Sequence, residues 1–154
     1  MRIAPLVCLA LALACAHSPA PPPGPRPLGM TASLARKDAT LELRFRYEVD
    51  ADRRVTLLVD LGATGPGVVG PVRLVVTGEN FEVQGDSTWA GEVAADTATT
   101  ERFVLRPRAD GVARVTIEYG PADAAALERR PFDFVVEPGV VRPCQADDAV
   151  CKRP

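Results

Sequence analysis

The chain has a single histidine in 154 residues, His17, and it stands apart from every segment with strand character. A serine nucleophile needs a base to take its hydroxyl proton. No Ser-His-Asp site is therefore expected in the body of the chain, although Gly85-Asp86-Ser87 has the look of an esterase block. No cysteine lies between Cys15 and Cys144. With histidine also missing there, neither a zinc nor a haem site is expected, and no metal or other cofactor. Positive charge is not in excess: Lys and Arg number 18 against 20 Asp and Glu. Only Lys37 and Lys152 are lysines, and the net charge is -2. A nucleic-acid partner needs a cationic face and is not expected. No apolar run is long enough for a membrane span: Ile3 to Ala14 is twelve residues, broken by Pro5, where a spanning helix needs about 20. Aromatics make up only 5%. Gly65-Pro66-Gly67-Val68-Val69-Gly70 spells G-x-G-x-x-G, but Pro71 and a strand pattern follow where a dinucleotide site needs a helix. It reads as an inter-strand loop.

What remains is an ordinary globular composition, 47% apolar and 25% charged, enough for one domain with tails. A basic start, Met1-Arg2, precedes the short apolar run, which then reads as the h-region of an export signal. The run ends Leu11-Ala12-Leu13-Ala14-Cys15. These residues resemble the signal of a bacterial lipoprotein. In that family, small residues precede a cysteine that is lipidated and becomes the new N-terminus. The resemblance implies a signal peptide over 1–14 and lipidation at Cys15. Ala12 departs from the leucine usual three residues before the cysteine. A plain secretory cut after Ala14 or Ala16 is the competing reading and would release the protein. Lipidation implies a cell-envelope protein held to the membrane through Cys15. Ala16 after the cysteine, in place of aspartate, implies the outer membrane. Cleavage would leave 140 residues with a charge of -3, Arg2 being the one charged side chain lost.

Pro19 to Pro27 holds six prolines in nine residues. Proline removes the backbone donor, so this run is expected as an extended polyproline II spacer within a tether over 15–30. A PxxP ligand for an aromatic groove is its alternative.

The body alternates with period 2. Residues 41–49, Leu-Glu-Leu-Arg-Phe-Arg-Tyr-Glu-Val, put every apolar side chain on one face of a strand. Similar segments occur at 55–61, 72–77, 81–84, 89–94, 102–106, 113–119 and 132–137, with a weaker one at 31–36. Gly78-Glu79-Asn80, Gly85-Asp86-Ser87 and 107–111 are turn chemistry between them. Short strands at this spacing predict an all-β antiparallel sandwich over 31–137, of about seven to eight strands. Asp123 to Arg130, behind Pro121, is the one helix candidate, a short decoration of a loop. Phe103-x-Leu105-x-Pro107 followed by Gly111-x-Ala113-x-Val115-x-Ile117 resembles immunoglobulin-like and fibronectin-like domains. The inter-sheet disulfide of antibody domains is missing, so packing alone must hold the sheets.

Carboxylates Glu42, Glu48, Asp60, Glu79, Glu82 and Glu92 lie in or near strands. Two in one cleft would suit glycoside hydrolysis, but they fall on the polar phase, where a solvated face is expected. Acid pairs Asp50/Asp52 and Asp147/Asp148 lack the spacing of a calcium loop. Arg44 and Arg46 share a face with Glu42 and Glu48, and Trp89 is in phase with Val93 as a core residue. In an exported chain Cys144 and Cys151 have an oxidising surrounding and are expected to bridge within a C-terminal tail over 138–154. A metal site or free thiols are the alternatives. Together these readings predict a non-catalytic, lipid-anchored envelope protein whose domain serves binding or support, with a protein partner of unknown identity. Its expected contact surfaces are the loop Gly62 to Pro71, the loop Gly120 to Pro131 and any edge strand able to accept a partner strand. A secreted inhibitor or ligand-binding module, and less so a two-carboxylate hydrolase, are the alternatives.

Overall fold

The computed structural model describes residues 24–35, 39–66 and 69–152. The lipidation position Cys15, the signal peptide and most of the Pro-rich run lie outside the described residues. Ten strands occur in chain order: β1 Arg26–Ala35, β2 Thr40–Val49, β3 Val55–Thr64, β4 Val69–Glu79, β5 Phe81–Gln84, β6 Thr88–Val93, β7 Ala98–Pro107, β8 Gly111–Pro121, β9 Glu128–Glu137 and β10 Val140–Pro143. They form two antiparallel sheets, β1-β2-β3-β7-β5 and β10-β9-β8-β4-β6. The all-β sandwich expected from the alternation is the fold. From β2 onward, the first sheet has the A-B-E-D order of an immunoglobulin domain, and the second has G-F-C with β6 beside β4 at the C′ position. The departures are local. The D-position strand precedes the C′-position strand in sequence, and β1 and β10 each add an edge.

The strand count exceeds the expected seven to eight, and the sheets extend beyond 31–137 at both ends. Arg26 and Pro27 pair with Tyr47 and Arg46 instead of belonging to the spacer. Pro27 is tolerated because β1 is an edge strand, and its ladder is irregular between Pro27 and Thr31. The helix expected at Asp123 to Arg130 does not form. Glu128, Arg129 and Arg130 instead pair with Tyr119, Glu118 and Ile117. A two-turn helix is marginal alone; here the Arg129–Glu118 ion pair at 2.7 Å and the ladder outcompete it. Among the described residues the one helical element is a 3-10 turn, Ala149–Cys151. Gly78 supplies no positive φ; that falls to Asn80 at 61°. Gly78 is needed for a close approach, since a Cβ there would stand 2.7 Å from the Phe81 carbonyl oxygen.

Between the sheets lies a continuous apolar core with no buried polar or charged side chain among the described residues. All five phenylalanines and both tyrosines are buried in it. Phe45 of the first sheet meets Phe132 and Tyr119 of the second at 5.3 and 6.4 Å between ring centroids. Tyr47 and Phe81 both meet Phe134 edge-on, at 5.8 and 5.7 Å. Every one of these four contacts crosses from sheet to sheet, in the tilted or edge geometry that aromatic quadrupoles prefer. Trp89 packs against this core, partly buried, with its ring over Gly91.

Two predictions follow from the core. Phe134→Ala removes a ring shared by two cross-sheet contacts and should cost about 3–5 kcal/mol. That is a large share of the roughly 5–15 kcal/mol of a whole domain, and urea unfolding followed by Trp89 fluorescence measures it. A midpoint unchanged from the parent would contradict the packing described. Tyr119 donates its hydroxyl proton to Glu128 Oε2 at 2.7 Å. Burial, reinforced by that bond, pushes its phenol up to about 12 from 10.0. The folded state favours the protonated phenol, so this stability is full below pH 10 and is lost as pH rises through about 12. Spectrophotometric titration should show a tyrosine ionising near the upper value; both ionising at 10 would refute it.

Candidate functional site

Most chemistry-bearing side chains lie on the outer faces and ends, with Glu101 turned inward as an exception, and arginine meets most of the acids. On the first sheet's outer face, Arg46 makes a two-pronged bond to Asp60 at 2.6 and 2.7 Å, and the Thr100 hydroxyl donates to the same carboxylate at 2.7 Å. The Arg46 bonds lead in holding the Asp60 carboxyl below its ordinary range. Glu48 pairs with Arg102 at 3.7 Å, and Glu42 lies 4.0 Å from Arg44. On the second sheet Arg114 grips Asp133 at 2.6 and 2.7 Å, and Glu79 is in register with Arg114. Glu82 and Glu92 are exposed. Of the six carboxylates, Glu42 and Asp60 line a common hollow of about 410 Å³, and Arg44 and Arg46 line it with them. That arrangement sets a guanidinium beside each of the two acids.

Asp50 closes a turn. Its Oδ1 accepts the backbone N–H groups of Asp52 and Arg54, and its Oδ2 accepts Arg54 Nε at 2.7 Å. Asp148 also has a structural duty. Arg142 donates to it twice, at 2.6 and 2.8 Å, and the Gln145 N–H donates at 2.7 Å. Asp148 and Gln145 lie inside the loop closed by the Cys144–Cys151 disulfide, whose Cα atoms are 6.0 Å apart, and Arg142 reaches them from β10. The Cys144 N–H reaches the Asp133 carbonyl at 2.8 Å, extending the β9–β10 ladder. The 3-10 turn packs on β9 and β8. This explains why Val135, which faces away from the core, is only 3% exposed. The bridge expected from the cysteine count is formed, and it pins the tail to the sheet's outer face.

Register places the expected contact loops. Arg26 pairs with Tyr47 near the β2–β3 turn, so the chain joins the sandwich at the end holding the turns 50–54, 108–110 and 138–139. That end is cross-tied: Arg53 reaches Asp110 at 2.8 Å and the Glu137 carbonyl at 3.2 Å. Gly62 to Pro71 and Gly120 to Pro131 meet at the opposite end. Val72 pairs with Pro121, and the Ala122 N–H donates to the Pro71 carbonyl at 2.9 Å. Positions 67 and 68 lie outside the described residues. Residues 124–127 and the outward Arg73, Val75, Glu118 and Arg129 enclose a hollow of about 420 Å³. Sequence reasoning proposed the two loops separately; their juxtaposition needed the β4–β8 pairing, which one sequence does not reveal. It also missed the Arg142–Asp148 clamp, whose partners are six residues apart across a bend.

No family model matches the chain, and the comparison with curated proteins returns no match.

The Arg142 bond, helped by the Gln145 N–H, lowers the Asp148 carboxyl from 3.8 to about 2. Its contribution is present above the unfolded value and is lost as pH falls through about 2. The Gln145 amide resonance should therefore move between pH 4 and 2, with Arg142→Gln shifting that transition upward. A Gln145 amide titrating at the ordinary carboxylate value in the parent would contradict the clamp.

Proposed function

We propose that the chain is a lipid-anchored, non-catalytic cell-envelope protein, held at the outer membrane by acylated Cys15 and a Pro-rich spacer, whose sandwich serves binding or structural support. One observation carries this reading. The tether side of the chain joins one end of the sandwich, and the loops Gly62 to Pro71 and Gly120 to Pro131 are joined at the other. A body attached at one end leaves its opposite end free for contact. The outer faces support the same reading, since their arginine–carboxylate pairs satisfy each other and present a solvated surface. The anchor is firm in principle: each buried CH₂ contributes about 0.8 kcal/mol, and more than one acyl chain makes attachment stable. The partner is a protein that meets the loop end.

Cys15→Ser tests the anchor. The parent should incorporate labelled fatty acid and sediment with membranes, and the variant should do neither while keeping its fold. A parent chain free of lipid, with a mature N-terminus elsewhere, would favour the secreted module.

A further inference from the structure

β1 and β5 edge the first sheet, and β6 and β10 edge the second. An unpaired edge templates another strand, and proteins blunt such edges with short strands, charges, prolines or inward-pointing acids. Three of these edges are blunted. β5 is four residues long and carries exposed Glu82. Beyond it the bare part of β7 turns Glu101 inward, in phase with buried Phe103 and Leu105. β10 is four residues long, ends at Pro143 and runs into the disulfide loop. β6 is six residues long, with exposed Glu92. In β1 the first half is guarded by Pro27 and the irregularity before Thr31. The second half, Thr31-Ala32-Ser33-Leu34-Ala35, is not. It runs in regular register with β2, has no charge or proline, and its other edge has no partner strand among the described residues.

We propose that Thr31–Ala35 pairs antiparallel with the same segment of a second copy, joining two sandwiches through one continuous sheet. The segment is self-complementary. A two-fold axis normal to the sheet keeps core-side residues on the core side, so the register must centre on a residue. Centring on Ser33 overlaps all five positions. Ala32 then lies opposite the second copy's Leu34, a small side chain beside a larger one, and the partly buried Leu34 gains cover. On the solvent side Ser33 meets Ser33 and Thr31 meets Ala35, so no charge opposes a like charge. The nearest acids, Glu42 beside each Ser33, are three strand spacings apart, about 14 Å. That exceeds the screening length of roughly 8 Å at physiological salt.

The pairing goes beyond the proposed function and does not rest on it. It is compatible with it: each end of the pair would carry one loop cluster.

The test uses the chain with Cys15→Ser, which makes it independent of lipidation. Sedimentation over a concentration series should show a doubling of mass. Ser33→Lys and Ser33→Glu each place like charges on the axis at an exposed, outward position. Each alone should lose the dimer, and an equimolar mixture should regain it, an outcome that misfolding cannot mimic. Under a mild oxidant the S33C chain should link to itself, and T31C should link only when mixed with A35C. A monomer at every concentration, a dimer indifferent to both charges, or a dimer without the S33C link would overturn the proposal. So would an edge that accepts only another protein's strand.

Discussion

The fold depends on aromatic rings meeting across the gap between two sheets. Among the described residues no disulfide joins the two sheets; the one present, Cys144–Cys151, lies in the tail. Eight aromatic residues are a small allotment for 154 positions, yet seven are spent in the interior. Phe45, Tyr47 and Phe81 from one sheet interlock with Tyr119, Phe132 and Phe134 from the other. Around them valine and leucine on the inward phase of β2, β3, β4 and β8 complete the core. Each pair contributes about 0.5–1.5 kcal/mol beyond its area. Their geometry fixes which strands face each other across the gap.

With the interior wholly apolar, polar chemistry is confined to the faces, the edges and the ends. The faces are occupied by ladders such as Arg46–Asp60–Thr100 and Arg114–Asp133. These pairs are half-buried, and their consequence here is that each of these acids is already held by an arginine. The surfaces proposed for recognition are an end and an edge. The end is where Ala122 joins Pro71, and the edge is the uncharged half of β1.

The architecture was largely legible in the sequence because the strands are half-buried and alternate. Residues 41–49 predicted β2, and Leu41, Leu43, Phe45 and Tyr47 are buried in turn. The disulfide followed from cysteine arithmetic. The misreadings are local and share a cause, pairing partners far away in sequence. Asp123 to Arg130 has helical composition, but its last three residues find Ile117, Glu118 and Tyr119 in β8. β10 is too short to show a period, and β9 makes it a strand. Glu101 breaks the inward apolar phase of β7, so the first half of that strand did not stand out. Leu58 is 4% exposed on an outer face, flanked by Arg46 and Arg102. Arginine stems can cover such a residue, which alternation alone does not foresee. The junction of the two loops came from register, which no local pattern encodes.

The central claim is that cross-sheet packing, without a covalent tie, holds this body together. Near-ultraviolet circular dichroism of the Cys144→Ser/Cys151→Ser chain, followed through urea, tests it most directly. The account predicts a native aromatic signal without denaturant and one cooperative loss of it, even with the tail loosened. An aromatic signal already gone before urea is added would show that the bridge, not the rings, keeps the sheets in place.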